Sequence, residues 1–94
     1  MRESKIEKYL HDQVTKAGGT TRKWRCPGRR GVPDRIVIWP RVDGPAAVHF
    51  VETKAPAKQL RPDQQREWAR LSEFRATLLR IDSVTAVDDY VRLF

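Results

Sequence analysis

The chain opens with an amphipathic helical pattern. Apolar residues recur at intervals of three and four, which places them on one face of a helix over residues 3–17. Gly18-Gly19 ends the pattern, since glycine is disfavoured inside a helix and common just after one. The apolar positions that share the spacing are Ile6, Tyr9, Leu10, Val14 and Ala17.

Four short runs rich in β-branched and aromatic residues predict strands. Pro40 closes the second run, and Asp43-Gly44-Pro45 marks a turn before the third. Glycine and proline at residues 27–31 indicate a loop between the first two. The predicted strands cover residues 20–26, 35–39, 48–54 and 77–81.

Two further helices complete the predicted elements. Pro62 suits the first turn of a helix that runs to about Phe74, and Asp82 or Ser83 can cap a last helix that ends near the end of the chain. The order α-β-β-β-α-β-α fits a single domain over residues 1–94. Because three strands follow closely and the fourth returns after a helix, we expect an α/β fold with a mixed sheet of four strands, flanked by helices.

Charged residues flank the second and third predicted strands, since Asp34 immediately precedes the second and Glu52 and Lys54 stand at the end of the third. Glu52 and Lys54 are two positions apart, so they point to the same face of their strand. Asp34 shares a face with Ile36 and Ile38. If these faces coincide, Asp34 and Glu52 lie together at the edge of an apolar layer, where their charges repel unless a cation binds or one is protonated.

A carboxylate pair of this kind is typical of a magnesium site. Mg²⁺ takes hard oxygen ligands and keeps several waters for a substrate phosphate, and the carbonyl of Thr53 is a further candidate ligand. The metal lowers the pKa of its water and polarises a phosphoryl oxygen, while Lys54 could orient that water or stabilise charge on the phosphate. The alternative is a surface Glu52–Lys54 pair across from an unrelated Asp34, because E-x-K alone is very common.

Helical positions add three candidates. Gln64 falls on the same stripe as Trp68, whereas Gln65 points away from it. A glutamine on the buried side needs polar partners, which a metal site or the backbone at the helix start would supply. Glu3 and Glu7 lie four apart on one flank of the first helix. Either could add a carboxylate to the metal site, and the alternative for both is ordinary helix solubility.

The charge balance favours a polyanionic partner. Nineteen Lys and Arg against twelve Asp and Glu give a net charge of +7, and the isoelectric point is near 10.2. Seven basic residues between positions 22 and 41 accompany a single acid, Asp34, a clustering that favours phosphate binding over a merely solvated basic face. The candidates for DNA contact are Arg22, Lys23, Arg25, Arg29, Arg30 and Arg35.

The remaining composition excludes several classes of protein. Cys26 is the only cysteine, so neither an internal disulfide nor a cysteine-rich zinc site can form. No apolar stretch near the N-terminus resembles a signal peptide, and the longest strongly apolar run, residues 36–39, is far too short to span a bilayer. We therefore expect a cytoplasmic protein that is not secreted and has no membrane partner.

Two apolar features have two interpretations each. Trp24 and Trp39 flank the arginine-containing loop at residues 27–31, which we call the basic loop. Their side chains either pack in the core or stack on exposed bases. An apolar C-terminal face is either core or dimer contact, and so short a chain has only a modest core of its own. This face comprises Val87, Tyr90, Val91, Leu93 and Phe94.

With these residues assembled, the chain resembles the VRR-NUC domain, a branch of the PD-(D/E)XK nuclease superfamily, over nearly its whole length. The resemblance implies a restriction-endonuclease-like fold and Mg²⁺- or Mn²⁺-dependent cleavage of DNA phosphodiesters. The segments that carry it are Glu3-Ser4-Lys5-Ile6-Glu7, Gly31-Val32-Pro33-Asp34-Arg35-Ile36-Val37, Phe50-Val51-Glu52-Thr53-Lys54-Ala55-Pro56, and Leu60-Arg61-Pro62-Asp63-Gln64 with Trp68.

The resemblance also assigns roles to individual residues. Glu7 precedes the end of its helix by a spacing similar to that in archaeal Holliday-junction resolvases of the same superfamily, so Glu7 is preferred and Glu3 is held in reserve. Stand-alone copies this short look like those of bacteriophages and bacteria, for which dimeric junction cutting is the implied role. The family's catalytic pattern maps onto Asp34, Glu52 and Lys54, with Gln64 as the supporting glutamine.

The sequence thus predicts a structure-specific DNA endonuclease that cuts four-way (Holliday) junctions as a homodimer, since two-fold symmetry presents paired strands to two identical sites. A flap or nicking endonuclease is the alternative within the same class. A nucleic-acid-binding module without turnover is the alternative from another class. Asp34, Glu52 and Lys54 speak against that last alternative, because a pure binder would not need all three.

Overall fold

The elements of the chain follow the predicted order. A computed structural model describes residues 1–94 and confirms an α/β fold with a mixed sheet of four strands and three helices. The bounds are α1 (Glu3–Lys16), β1 (Thr20–Lys23), β2 (Arg35–Trp39), β3 (Ala47–Thr53), α2 (Pro62–Glu73), β4 (Thr77–Ile81) and α3 (Val84–Val91).

Two boundaries differ from the prediction by more than one residue. β1 ends at Lys23 rather than at residue 26, because only the bond from the Trp24 N–H to the Asp34 carbonyl (2.9 Å) continues its pairing with β2 before the chain turns into the loop. α3 ends at Val91, since the last three residues form a turn instead of another helical turn.

The sheet places the two predicted carboxylates opposite each other. Its strand order is β1-β2-β3-β4, with β1/β2 and β2/β3 antiparallel and β3/β4 parallel. Helix α2 is the crossover that a parallel pair requires. In the β2/β3 register Arg35 faces Val51 and Ile36 faces Phe50. Continuing this register by one residue brings Asp34 opposite Glu52.

The hydrophobic core occupies one face of the sheet, where α1 and α3 pack against it. Helix α3 begins after Ser83, whose hydroxyl accepts a hydrogen bond from the Ala86 N–H at 3.0 Å. Since strand side chains alternate, the even-numbered side chains of β2 and β3 point to the opposite face. The buried core residues are Ile6, Leu10, Val14, Val37, Trp39, Val51, Ile81, Val87 and Tyr90.

Both tryptophans flanking the basic loop pack against other aromatic side chains. Trp39 is a core residue, and its Nε1–H donates to the Tyr90 hydroxyl at 2.7 Å. That hydroxyl also lies 2.6 Å from Nδ1 of buried His49. Trp24 packs on Phe50 with ring centroids 4.8 Å apart. The packing interpretation therefore holds for Trp39.

The C-terminal apolar face is divided between core and surface. Val87 and Tyr90 belong to the core, while Leu93 and Phe94 remain 77% and 53% exposed. Phe94 nevertheless stacks on Trp39 at 4.7 Å. None of the three helices combines the length and the apolar character needed to cross a membrane.

Candidate active site

Four of the predicted site residues meet where β2 begins and the antiparallel β3 ends. Glu52, Lys54 and Gln64 are all buried, with no more than 6% of each residue exposed. Gln64 Nε2 donates to Glu52 Oε2 at 3.0 Å, and Lys54 Nζ lies 3.8 Å from the same oxygen. Strand alternation and helical spacing had predicted that these side chains share one region, and the structure brings them together with Asp34.

Asp34 is held by both donors of Thr53. The Thr53 hydroxyl donates to Asp34 Oδ2 at 2.7 Å, and the Thr53 backbone N–H donates to Oδ1 at 3.2 Å. Sequence reasoning had considered only the carbonyl of Thr53, as a metal ligand, and missed its hydroxyl. The only signal for that hydroxyl was a threonine at the middle position of E-x-K, which is too common to indicate a contact.

One oxygen of Glu52 is left free by these contacts. Both close partners, Gln64 and Lys54, approach Oε2, so Oε1 accepts no hydrogen bond from the protein. Every buried side-chain nitrogen or oxygen has a hydrogen-bond partner, so Oε1 must reach solvent. The same holds for Lys54 Nζ, whose distance of 3.8 Å from Glu52 is too long for a hydrogen bond.

The electrostatics of the pair favour a cation. Burial, reinforced by the charge of Asp34, raises the pKa of Glu52 to about 7. Burial also raises the pKa of Asp34, against the hydrogen bonds from Thr53 that lower it, and the charges of Glu7 and Glu3 add to the rise. Burial therefore makes both carboxyls harder to ionise, the charge of Asp34 adds to this effect at Glu52, and a bound cation would offset both penalties.

The donor set suits a hard divalent cation. The carboxylates of Asp34 and Glu52 and the carbonyl of Thr53 are oxygen donors, the type that Mg²⁺ and Mn²⁺ prefer. No group of three or more His, Cys, Asp or Glu side chains is close enough to enclose a metal by itself. Water and substrate oxygens would therefore have to complete the coordination, which is usual for Mg²⁺ at phosphate-binding sites.

The two glutamates of α1 reach the same groove as Asp34. Glu3, Glu7 and Asp34 line one pocket of about 280 Å³. Glu7 is already paired, because its Oε2 accepts from Arg35 Nε at 2.8 Å and lies 3.6 Å from Lys23 Nζ. Both α1 carboxylates therefore line the groove on the side of Asp34, and the groove does not by itself select Glu7 over Glu3.

The six basic residues proposed for DNA contact occupy different environments. Lys23 and Arg25 line the groove that contains Asp34, and the Arg30 side chain is 90% exposed. Arg22 is exposed on β1 and donates to the Thr20 hydroxyl and the Thr21 carbonyl. The remaining two, Arg29 and Arg35, bind carboxylates.

These two arginines join distant parts of the chain. Arg29 Nε lies 2.9 Å from both carboxylate oxygens of Glu67, a buried residue of α2. The Arg35 side chain is only 11% exposed beside Glu7. Glu67 lies on the same side of α2 as Gln64 and is buried there, although the sequence gives no reason to expect a buried acid. The ion pair with Arg29 explains this position.

Gln64 has a second partner that sets its orientation. Its Oε1 accepts from the Arg61 N–H at 2.9 Å, which closes the first turn of α2 and leaves Nε2 directed at Glu52. Gln65, by contrast, is exposed and donates to the Leu60 carbonyl. Helical spacing therefore distinguished the buried glutamine from its neighbour correctly.

A family model, a phage protein and a solved structure are each similar to most of this chain. The VRR-NUC domain family model matches residues 6–82. "Putative nuclease p44" of Acyrthosiphon pisum secondary endosymbiont phage 1 is 45% identical over 83 residues, which are 88% of this chain and 85% of the phage protein. A solved structure of a VRR-NUC domain has a TM-score of 0.84 at 31% identity, over 98% of this chain and 96% of that one. These similarities support nuclease function.

Proposed function

The chain belongs to the VRR-NUC domain family, and on that premise we propose that it is a divalent-metal-dependent DNA endonuclease that cuts four-way junctions as a homodimer. The observation that carries the proposal is the pair formed by half-buried Asp34 and buried Glu52, with one free oxygen on Glu52 and an unbonded ammonium on Lys54 beside it. An acidic pair largely shielded from solvent next to a lysine is suited to phosphodiester hydrolysis in a way that a simple binding surface is not.

Two residues would hold the acidic pair in place. Gln64 fixes Glu52 through Oε2, and Thr53 fixes Asp34 through both of its oxygens. A Mg²⁺ or Mn²⁺ ion held by Asp34, Glu52 and the Thr53 carbonyl would supply the Lewis acidity that makes water nucleophilic and polarises the phosphoryl oxygen. Fixed ligands matter because a carboxylate that rotates freely must be ordered each time an ion binds.

Lys54 supplies a positive charge beside the carboxylate of Glu52. Its ammonium has three donors and no hydrogen-bond acceptor within the protein. It is therefore free to orient the attacking water or to donate to the phosphate oxygen on which negative charge develops. Glu7, with Glu3 in reserve, would act as a further carboxylate from α1 at the same groove.

The exposed basic residues would bind the DNA backbone. Lys23 and Arg25 share the groove with Asp34, so a strand that crosses them would place a phosphate near the acidic pair. The exposed side chains of Arg22 and Arg30 would add further positive charge for the DNA backbone. Arg29 and Arg35 would contribute by positioning the basic loop and α1, in addition to any direct contact with phosphate.

The proposal includes a branched DNA substrate and a homodimer, which fit each other by symmetry. A two-fold dimer presents two identical sites to the paired strands of a four-way junction. The exposed apolar side chains of Leu93 and Phe94 provide a surface through which two copies can associate. The relation to a phage protein suggests a bacterial or phage-infected cell as the setting.

A panel of labelled DNAs tests the proposal. Four-way junctions, flaps and plain duplexes are incubated with Mg²⁺, with Mn²⁺ and with EDTA, and the products are mapped by denaturing electrophoresis. We expect paired, symmetrical cuts near the branch point, only with metal. Cleavage of flaps but not of junctions would replace the substrate assignment, and binding without cleavage in every metal would overturn the enzyme assignment.

A further inference from the structure

A second polar pocket lies between the loop at residues 27–31 and α2. Its volume is about 250 Å³, and no hydrophobic residue lines it. We call it the loop–helix pocket. A hollow with only polar and charged walls suits an ionic ligand. Its charged residues are Arg29 and Arg30 from the loop, and Asp63, Arg66, Glu67 and Arg70 from α2.

The two acids of this pocket are already neutralised. Glu67 is buried and its two carboxylate oxygens each lie 2.9 Å from Arg29 Nε. Asp63 accepts from Arg61 Nε at 3.2 Å and lies 4.0 Å from Arg30 Nε. The carboxylates therefore anchor the loop and the start of α2, and they do not leave a free negative charge in the pocket.

The remaining positive charge is available to a ligand. Arg66 forms no salt bridge, and Arg70, which is 62% exposed, approaches a carboxylate only at 4.0 Å from Glu67. The two arginines are four positions apart and so lie on one face of α2. Guanidinium groups match the geometry of phosphate oxygens and bind them in pairs of hydrogen bonds.

The pocket is rigidly assembled. Gly31 has φ of +80°, a region that favours glycine, and a Cβ at this position would overlap the backbone carbonyl of Asp63. The close approach of Gly31 to Asp63 and the Arg29–Glu67 ion pair hold the loop on α2 at two points. A binding site whose walls are ordered in advance loses little conformational entropy when a ligand enters.

We infer that the loop–helix pocket is a second DNA-backbone site, in which Arg66 and Arg70 bind a phosphodiester of the DNA whose scissile phosphate lies at Asp34 and Glu52. This inference rests on the proposed function. It fits the placement of the pocket, because α2 carries Gln64, which contacts Glu52, one residue after Asp63 of the pocket wall. The helix thus joins the two phosphate positions rigidly.

The test measures DNA binding rather than cleavage. Arg66→Gln/Arg70→Gln is compared with Lys16→Gln/Arg92→Gln, a control that removes the same charge from residues outside the pocket. Fluorescence anisotropy with a labelled four-way junction in EDTA gives the affinity from about 50 to 200 mM salt. We expect the slope of log affinity against log salt to fall by about one for each pocket arginine.

Three further arms decide between outcomes. Arg66→Lys/Arg70→Lys keeps the charge, so we expect it to restore most of the salt slope, and thermal melting confirms that each variant folds. A double Gln variant that matches the control in affinity and slope would overturn the inference. So would inorganic phosphate binding at Arg66 and Arg70, detected by NMR shifts, without any effect of the double variant on DNA.

The failure of this inference is distinguishable from that of the proposed function. A wild-type protein that cuts no DNA in any metal would refute the proposed function, whether or not it binds DNA. A wild-type protein that cuts DNA, combined with a double variant that behaves as the control does, would refute only the loop–helix pocket as a DNA site.

Discussion

Gln64 bridges the start of α2 and the buried carboxylate of Glu52. Its Nε2 donates to Glu52 Oε2 at 3.0 Å while its Oε1 accepts from the Arg61 N–H at 2.9 Å. One side chain therefore closes a helical turn and fixes the rotation of a candidate metal ligand. Oε1 of Glu52 remains free for a metal ion. A change at the start of α2 would therefore also change the orientation of the Glu52 carboxylate.

Replacing Gln64 tests this coupling. In Gln64→Ala the carboxylate of Glu52 loses its donor and the Arg61 N–H loses its acceptor. We expect cleavage to fall by about 10- to 100-fold and the free energy of unfolding to fall by about 1–2 kcal/mol, measured by initial rates and urea denaturation. Gln65→Ala is the matched control, because Gln65 is exposed. A Gln64→Ala protein with wild-type rates would contradict the role.

Lys54→Ala tests the chemical role of the lysine. Loss of the ammonium removes a donor to the water or the phosphate, so we expect the cleavage rate to fall by roughly 100-fold or more. DNA affinity should stay within about twofold, since binding depends on the distributed basic residues. The exposed Lys58, replaced by alanine, is the control. Unchanged cleavage by Lys54→Ala would place the active site elsewhere.

Thr53→Val removes one donor to Asp34 while preserving the shape of the side chain. The hydroxyl that donates to Asp34 Oδ2 at 2.7 Å lowers the pKa of Asp34, so its loss makes the carboxyl harder to ionise. We expect Mn²⁺ affinity to fall on the order of tenfold, measured by calorimetric titration. Thr53→Ser retains the hydroxyl and should bind Mn²⁺ nearly as the wild type does. Equal affinities in all three proteins would exclude this contribution.

The raised pKa of Glu52 predicts a pH-dependent stability in EDTA. The pKa rises from 4.5 to about 7, so the folded chain binds a proton more tightly than the unfolded chain does. That contribution is complete below pH 4.5 and is lost as the pH rises through about 7. We expect the free energy of unfolding to decrease by up to ~3 kcal/mol over this range.

Urea denaturation of metal-free protein at several pH values measures this loss. Glu52→Gln should flatten the profile, while Glu73→Gln, a change at an exposed acid of α2, should leave it unchanged. Because a cation competes with the proton for Glu52, Mg²⁺ should stabilise the protein more at pH 8 than at pH 5. An equally steep decrease in Glu52→Gln would assign the titration to another group.

Glu7→Gln and Glu3→Gln separate the two carboxylates of α1. We expect about a tenfold loss of cleavage in Glu7→Gln and a change within about twofold in Glu3→Gln. Since Glu7 also binds Arg35, the Arg35→Gln control reports the effect of breaking that ion pair on stability and on rate. The opposite ranking of the two glutamates would make Glu3 the active carboxylate.

Local pattern was sufficient wherever a property depends on one element alone. Side chains alternate along a strand, which placed Glu52 and Lys54 on one face of β3. The period of the helix placed Gln64 inward and Gln65 outward. Backbone geometry alone sets these directions. The same reasoning predicted all seven elements and the mixed sheet. The ends of strands and helices were predicted less accurately. β1 ends earlier than predicted, because the chain stops pairing with β2 where the following loop begins.

Contacts between elements were decided only by the tertiary structure. Arg29 and Glu67 are 38 positions apart, and Glu7 and Arg35 are 28 apart, so no local period relates them. From the sequence, Arg29 and Arg35 could be identified only as basic residues that are candidates for contact with DNA phosphates. Their ion pairs could not be predicted, because such pairs depend on which side chains the fold brings within a few ångströms of each other. The hydrogen bond from the Thr53 hydroxyl to Asp34 could not be predicted for the same reason.

The sequence by itself therefore determined the elements, the mixed sheet and the face on which Glu52, Lys54 and Gln64 lie. The tertiary structure decided which acids are paired with arginines, which oxygen of Glu52 stays free and how the basic loop rests on α2. The physical reason is that side-chain direction follows from the backbone of one segment, whereas burial, hydrogen bonding and charge pairing arise only when separate segments pack together.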